Sequence, residues 1–369
     1  MISFAPTEEQ EVAREAMRDF AVEVMRPQAR TADEESRLPD GFLDQVAELG
    51  LVSTQIPEDY GGGGEPRSPV TGVLVLEELA YGDAALALAA VSPGLFALPV
   101  LDFGTEEQKR AWLPPLCGER FTAASLALCE PHPTFDPLNL RTVAEPKGEG
   151  FVVSGTKCFV PLGDRAERFL VLARRPDADG FEGMEALVVE RGAEGLRISE
   201  PERNLGLRAL PTVSLDLERV AVGPEARLGG EAGIDARRLL ASQRTALGAV
   251  LVGLSRAVMD YAIPYAKERE AFGEAIAQKQ AIAFRLAEMR MEVDAMRWLV
   301  WKAASLLEHG EDATRAAHHV RTYTAEKAMV IADDGVQVLG GHGFIREHPV
   351  ELWYRNARTL GVLEGICAV

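Results

Sequence analysis

No two of the four cysteines in this 369-residue chain stand in C-x-x-C spacing; they are Cys117, Cys129, Cys158 and Cys367. That argues against a disulfide framework and a cysteine metal site, and makes reduced thiols in a cytoplasmic setting the default. Histidine is scarce as well. None of the six stands in H-E-x-x-H, and the adjacent His318 and His319 leave a helix on different sides, so no metal is expected. Neither G-x-S-x-G nor G-x-x-x-x-G-K-[ST] occurs, which removes support for acyl-serine hydrolysis and phosphate-loop chemistry. Positive charge is in deficit, with 39 Lys+Arg against 57 Asp+Glu and a net charge of −18. Such a surface repels nucleic acid and anionic membrane, so an anionic ligand must find local positive contacts. No secretory signal is evident, since MISFAPTEEQEVAREAMRDF reads as an acid-rich amphipathic helix start. The uncharged run from Ala84 to Leu101 holds Pro93 and Pro99, which predicts buried helix, turn and helix start instead of a membrane span.

What is present divides the chain in three. Thr7 with Gln10 and Thr105 with Gln108 are capping boxes, and helical spacing of apolar residues dominates up to residue 118. A helix is expected from Asp40 to Glu48, stopped by Gly50, and another from Ser68-Pro69 to about Ala80. Ile56–Pro66, IPEDYGGGGEP, is expected to be a loop. Residues 119–230 change character. GFVVSGTKCFV, RFLVLARR, MEALVVE and TVSLDLERVAV are short, rich in β-branched residues and punctuated by Gly, Pro or Asp, which predicts an antiparallel β domain. From 231 to 369 the helical period returns in segments long enough for a four-helix bundle, with a bend at Pro264. The fold class is therefore α+β, in the order all-α, all-β, all-α.

Two glycine clusters invite a nicotinamide reading, Gly61–Gly64 and Gly340–Gly343. The first follows a Pro-Glu-Asp loop and the second a helix; neither opens a βαβ unit, so the dinucleotide fingerprint is rejected.

In order and spacing, PEDYGGGG, GTEEQKRAWLPPL, LCEP, SGTKCFV, YAKEREAFGEAIAQKQA, QVLGGHGFIREHPVELWYRNAR and LEG resemble the acyl-CoA dehydrogenase family, from Thr7 to Gly365. The resemblance implies FAD as cofactor and oxidation of an acyl thioester to a 2,3-enoyl thioester. It implies that Arg269, Phe272 and Gln280, in REAFG…Q, hold the ADP half of FAD across a dimer interface, as a forked guanidinium suits a pyrophosphate. Gln337, Gly340 and Gly341 match a second FAD segment, where glycine admits close backbone approach. Arg244, nine residues before Gly253, matches the helix arginine near the substrate. Glu364 falls where many members carry the catalytic base. A subset place the base immediately before the helix arginine, and that position here is Gln243, which cannot take a proton.

A carboxylate at its ordinary pKa of roughly 4.3 is a poor base for an α C–H. An apolar, water-poor pocket would strengthen it, with Leu363 and Ile366 as the expected lining. Hydrogen bonds to the thioester oxygen would stabilise enolate-like charge; the family implies the base residue's own backbone N–H and a flavin ribityl hydroxyl as donors.

The departures lie at the flavin. Cys129 replaces a threonine before Glu130-Pro131, and Thr134, Phe135 and Asp136 replace a GSD turn, leaving Phe135 at the substrate side. The family's Trp-Ile-Thr reads Phe159, Val160, Pro161. Phe159 can cover a flavin face, whereas Pro161 offers neither hydroxyl nor N–H. A specialised acyl group or a carrier-protein thioester fits these changes. Three readings stay open: a thioester dehydrogenase, a flavin monooxygenase or oxidase on the same fold, and a degenerate subunit of a hetero-oligomer. The resemblance also implies electron-transfer flavoprotein as acceptor and a homodimer or homotetramer.

Overall fold

The computed structural model describes residues 5–369; Met1–Phe4, the start of the stretch read above as a helix start, lie outside the described residues. Helix α1 (Glu8–Phe20) begins at the expected capping box, where Gln10 N–H donates to Thr7 Oγ1 at 3.2 Å and Thr7 N–H to Gln10 Oε1 at 3.0 Å. It runs through one π turn into α2 (Arg26–Glu35), and α3 (Phe42–Leu49) ends on Gly50 at φ +62°. Then come α4 (Pro69–Gly82), α5 (Ala84–Val91), α6 (Gly94–Phe103) and α7 (Glu106–Trp112). The uncharged run is, as expected, two buried helices, α5 and α6, bent by 44°. Between α3 and α4, Ile56–Pro66 holds only a 3-10 turn at Glu58–Tyr60.

Asp83 caps α5, accepting from Leu86 N–H at 2.9 Å, yet it is buried. Burial, more than its neighbours, pushes its carboxyl up to about 6. The folded state therefore binds the proton more tightly than the unfolded chain, and stability falls as pH rises from about 4 to about 6. Asn keeps the cap and carries no charge. Asp83→Asn is expected to stabilise the protein by up to roughly 3 kcal/mol at pH 7.5 and by about half of that at pH 5, read from unfolding midpoints at the two pH values. An equal change at both pH values would refute the account.

The strands are β1 (Ala124–Ala127), β2 (Val143–Lys147), β3 (Gly150–Pro161), β4 (Arg168–Arg174), β5 (Met184–Glu190), β6 (Leu196–Ile198) and β7 (Thr212–Val222), with the single turn α8 (Gly180–Gly183) before β5. They form one sheet in the order β1-β4-β2-β3-β7-β6, with β5 on β4. The antiparallel expectation needs one correction. β1 pairs β4 in parallel, Ala124 to Arg168 through Ala127 to Val171, and β2 meets β4 in parallel at Val143 and Arg174. Parallel neighbours need long connections, and the irregular excursion 128–142, which carries the Glu130-Pro131 turn, belongs to one of them.

Four helices follow: α9 (Ala236–Glu268), α10 (Gln280–Glu308), α11 (Thr314–Leu339) and α12 (Val350–Leu360), with a hairpin of β8 (Glu270–Ala271) and β9 (Glu274–Ala275) between α9 and α10. Helix α9 is long and apolar enough to cross a membrane, but 78% of its most apolar stretch is buried among its neighbours. Helix α4 packs along α9 at Gly253, where a Cβ would lie 2.2 Å from Glu77 O. Glu77 pairs with Arg256 at 2.6 Å and Arg297 at 2.8 Å, tying α4 to α9 and α10.

Helix α12 buries Val350, Trp353, Ala357 and Leu360 on one face. Its polar side is also engaged. Arg355 pairs with Asp33 of α2 at 2.7 Å, Asn356 Oδ1 accepts from Leu207 N–H at 2.7 Å, and Thr359 Oγ1 accepts from Gly206 N–H at 2.9 Å. All three domains thus fix the helix that ends four residues before Glu364.

Candidate active site

Glu364 follows the turn that closes α12. Gly361 O accepts from Arg321 Nη2 of α11 at 2.9 Å, and Glu364 O accepts from the Cys129 thiol just past β1 at 3.1 Å. Gly365 has φ +67°, and a Cβ there would lie 2.9 Å from Leu128, so the chain can double back only with glycine at this position. Beyond it, Val369 N–H donates to Ser242 Oγ of α9 at 3.1 Å. The tail lies between the sheet and α9.

The Glu364 side chain is 10% exposed. Arg244 Nη2 lies 3.2 Å from Oε1, and Arg244 Nε 3.3 Å from both carboxylate oxygens. Arg321 Nε is 3.4 Å from Oε1, too poorly aligned for a hydrogen bond. The expected apolar surround is therefore only half present. Leu363 and Ile366 are buried beside Glu364, but its carboxylate sits against two guanidiniums. Among the described residues the Glu364 backbone N–H donates to nothing. Arg244 stands next to its expected partner; Arg321 had no sequence signal, because its role exists only once the tail folds back onto α11.

The floor of this region is a buried ion pair. Lys157 Nζ donates to Glu130 Oε1 at 2.9 Å and to Leu128 O at 3.1 Å, while Glu130 also accepts from Arg141 N–H at 2.7 Å and Thr142 N–H at 2.8 Å. Burial opposes ionisation of Glu130, but Lys157 and the two amides hold its carboxyl below the usual range. Cys129 is pushed up to about 11, chiefly by burial, so its thiol stays protonated and donates to Glu364 O.

The segment 159–161 ends β3. A bulge between Lys157 and Val160 lets Phe159, at φ +54°, leave the strand register. Its N–H donates to Glu202 at 3.2 Å. Val160 is fully buried and Pro161 pairs with Thr212, so of the three side chains only Phe159 is partly exposed. Phe135 is half-buried and meets the His132 ring edge-on at 5.9 Å.

The remaining six residues gather elsewhere. Arg269 caps the far end of α9, Phe272 is 97% exposed in the β8–β9 turn, and Gln280 opens α10. Gln337 closes α11 before Gly340 and Gly341, and Tyr265 OH donates to Leu339 O at 3.4 Å, which joins the ends of α9 and α11. Arg269, Gln280, Gln337, Gly340 and Gly341 are exposed, and Arg269 forms no ion pair among the described residues. Gly340, at φ +58° and ψ −129°, has open space where a Cβ would stand, and so does Gly341. At 1.5 Å per residue, Arg269 is about 37 Å along α9 from Arg244.

Known proteins show the same design. Residues 7–120, 125–220 and 233–369 match the families described as acyl-CoA dehydrogenase N-terminal, middle and C-terminal domains. A probable acyl-CoA dehydrogenase of Bacillus subtilis is 34% identical over 99% of this chain and 96% of its own. A 3-(aryl)acrylate reductase of Clostridium sporogenes is 32% identical over 98% and 96%. The butyryl-CoA dehydrogenase structure of Megasphaera elsdenii superposes with a TM-score of 0.88 at 28% identity, covering 98% of this chain and 95% of that one. With all three domains matched in chain order, it belongs to the acyl-CoA dehydrogenase family of FAD-dependent oxidoreductases.

Proposed function

We propose that the protein interconverts an acyl thioester and its 2,3-enoyl form, with Glu364 moving the α-proton. The observation that carries this is the placement of two groups on one residue. A nearly buried carboxylate and an unengaged backbone N–H both belong to Glu364, at a turn that all three domains fix. The carboxylate removes the proton from Cα while the N–H donates to the thioester oxygen, where negative charge grows. Arg244 orients the carboxylate, the Cys129 thiol holds its peptide carbonyl, and Arg321 holds the preceding turn. FAD, when bound, supplies the hydride acceptor for Cβ. The family resemblance supports electron-transfer flavoprotein as the onward acceptor. Purified protein should be yellow and should bleach anaerobically with an acyl-CoA; a yellow protein indifferent to a panel of acyl-CoAs would overturn the reading.

The residues fit the cofactor in two sets. Phe159 suits the ring end near Glu364. Arg269, Phe272, Gln280, Gln337, Gly340 and Gly341 offer a free guanidinium, amides and bare backbone for the diphosphate and adenosine end. Arg244, which binds Glu364, lies about 37 Å along α9 from Arg269, longer than one FAD, so a cofactor with its ring at Glu364 takes its Arg269 set from a second copy of the chain. Exposed apolar residues recur every seven positions on α10, with Phe284 59%, Met291 62% and Trp298 48% exposed, as on a helix face that packs against another copy. Met291→Glu is expected to shift the sedimenting species toward monomer and to release FAD on the same titration. A monomeric variant that keeps its flavin would separate the two claims and refute the shared site.

A further inference from the structure

Phe159 is held in a strained backbone conformation. Its φ is +54°, a region that bulky side chains rarely adopt, and the bulge between Lys157 and Val160 takes its N–H out of the strand ladder. One carboxylate secures it there. Both oxygens of Glu202 stand 3.2 Å from the Phe159 N–H. Oε2 also accepts from Thr212 Oγ1 at 2.7 Å, and Oε1 from Ser214 Oγ at 2.8 Å. Glu202 is itself fixed, because its N–H donates to Thr212 O at 2.8 Å. Asn204 Nδ2 donates to Thr212 Oγ1 at 2.9 Å, which directs that hydroxyl's own hydrogen to Glu202.

A second observation concerns charge. Glu202 is partly buried and meets only neutral donors; among the described residues it has no ion-pair partner. The other acids of the site differ. Glu130 has Lys157, and Glu364 has Arg244 and Arg321. A carboxylate without a nearby cation keeps its field, and partial burial lets that field reach further than in water. It is felt inside the sheet: the Cys158 thiol is pushed up to about 12, first by burial, then by Cys129 and Glu202.

Resting on the placement of the ring end of FAD at Phe159, we propose that Glu202 is a positioning residue that seats Phe159 against the ring and, through its unpaired charge, lowers the reduction potential of the bound flavin. A hydride accepted by the ring brings one negative charge into this space, and Glu202 opposes it. The interconversion is thereby pulled toward the saturated thioester. Clamp and charge reside in one side chain but respond to different substitutions.

The test is a spectral titration of the FAD-loaded protein against a redox dye of known potential, with visible circular dichroism of the flavin as a reading of geometry. Glu202→Gln keeps an oxygen for the Phe159 N–H and removes the charge. It is expected to raise the ratio of reduced to oxidised flavin at a fixed potential roughly tenfold, a shift of about 30 mV upward, with the dichroism unchanged. Glu202→Ala is expected to shift the potential in the same direction and to alter the dichroism as well, because the clamp is lost. A potential in Glu202→Gln equal to or below that of the parent would overturn the proposal. Phe159→Ala separates the two levels of failure. If it alters the dichroism while Glu202→Gln leaves the potential in place, only the role of Glu202 falls. If Phe159→Ala leaves the dichroism and FAD affinity as in the parent, the ring does not lie at Phe159, and both readings fall.

Discussion

Glu364→Gln is expected to retain FAD and to slow flavin reduction by an acyl-CoA by roughly 10²–10⁴-fold, the usual contribution of a positioned general base. The substitution is nearly isosteric. It keeps the Gly361 and Glu364 carbonyls bound to Arg321 and Cys129, since those contacts are to backbone. It removes only the proton acceptor and the anion that Arg244 and Arg321 face. Stopped-flow bleaching under anaerobic conditions reads the effect directly. The loss should appear in the limiting rate at saturating thioester, because the thioester oxygen still meets the residue's N–H. Bleaching at the parent rate would show that another group takes the proton. Gln243, an amide with no proton-accepting carboxylate, cannot be that group.

The second large effect concerns stability. Lys157→Met is expected to destabilise the protein by roughly 3–5 kcal/mol, the cost of leaving one partner of a buried ion pair alone. Met fills the volume of the lysine stem but cannot donate, so Glu130 keeps only the Arg141 and Thr142 amides. Without Lys157, burial dominates and Glu130 is driven toward its neutral form. The deficit should therefore shrink as pH falls, because protonation relieves it. Urea midpoints at pH 5.5 and 7.5 check both magnitude and sign. The double variant Glu130→Gln/Lys157→Met should recover more than half of the loss at pH 7.5. A double variant as unstable as the single one would mean that the effect came from packing in β3 and not from charge. Because Cys129 and Cys158 flank the pair, the same variant should also loosen the floor beneath Glu364.

Much of the fold was legible in local chemistry. The capping boxes at Thr7 and Thr105, the stop at Gly50 and the long strands β3, β4, β5 and β7 depend on side chains within a few residues of one another. Strands β1 and β2 and helix α12 were less legible. β1 is four residues long, β2 is mostly polar, and α12 is fixed largely by partners in α2 and in the 206–207 turn. The parallel pairing of β1 with β4 is likewise a property of chain path, not of either strand's residues.

The sequence alone determined the order of helical and β domains, the family and its flavin, and a lone carboxylate at 364 beside a glycine, because periodicity, caps and spaced motifs are written along the chain. Only the tertiary structure decided what surrounds that carboxylate. Arg321 reaches it from 43 residues away in the chain, Arg244 from 120, and the Cys129 thiol holds its carbonyl from 235. It also decided that Arg244 meets Glu364 while Arg269 stands about 37 Å further along α9. Charge and distance between groups remote in sequence are set by packing, and no local pattern encodes them.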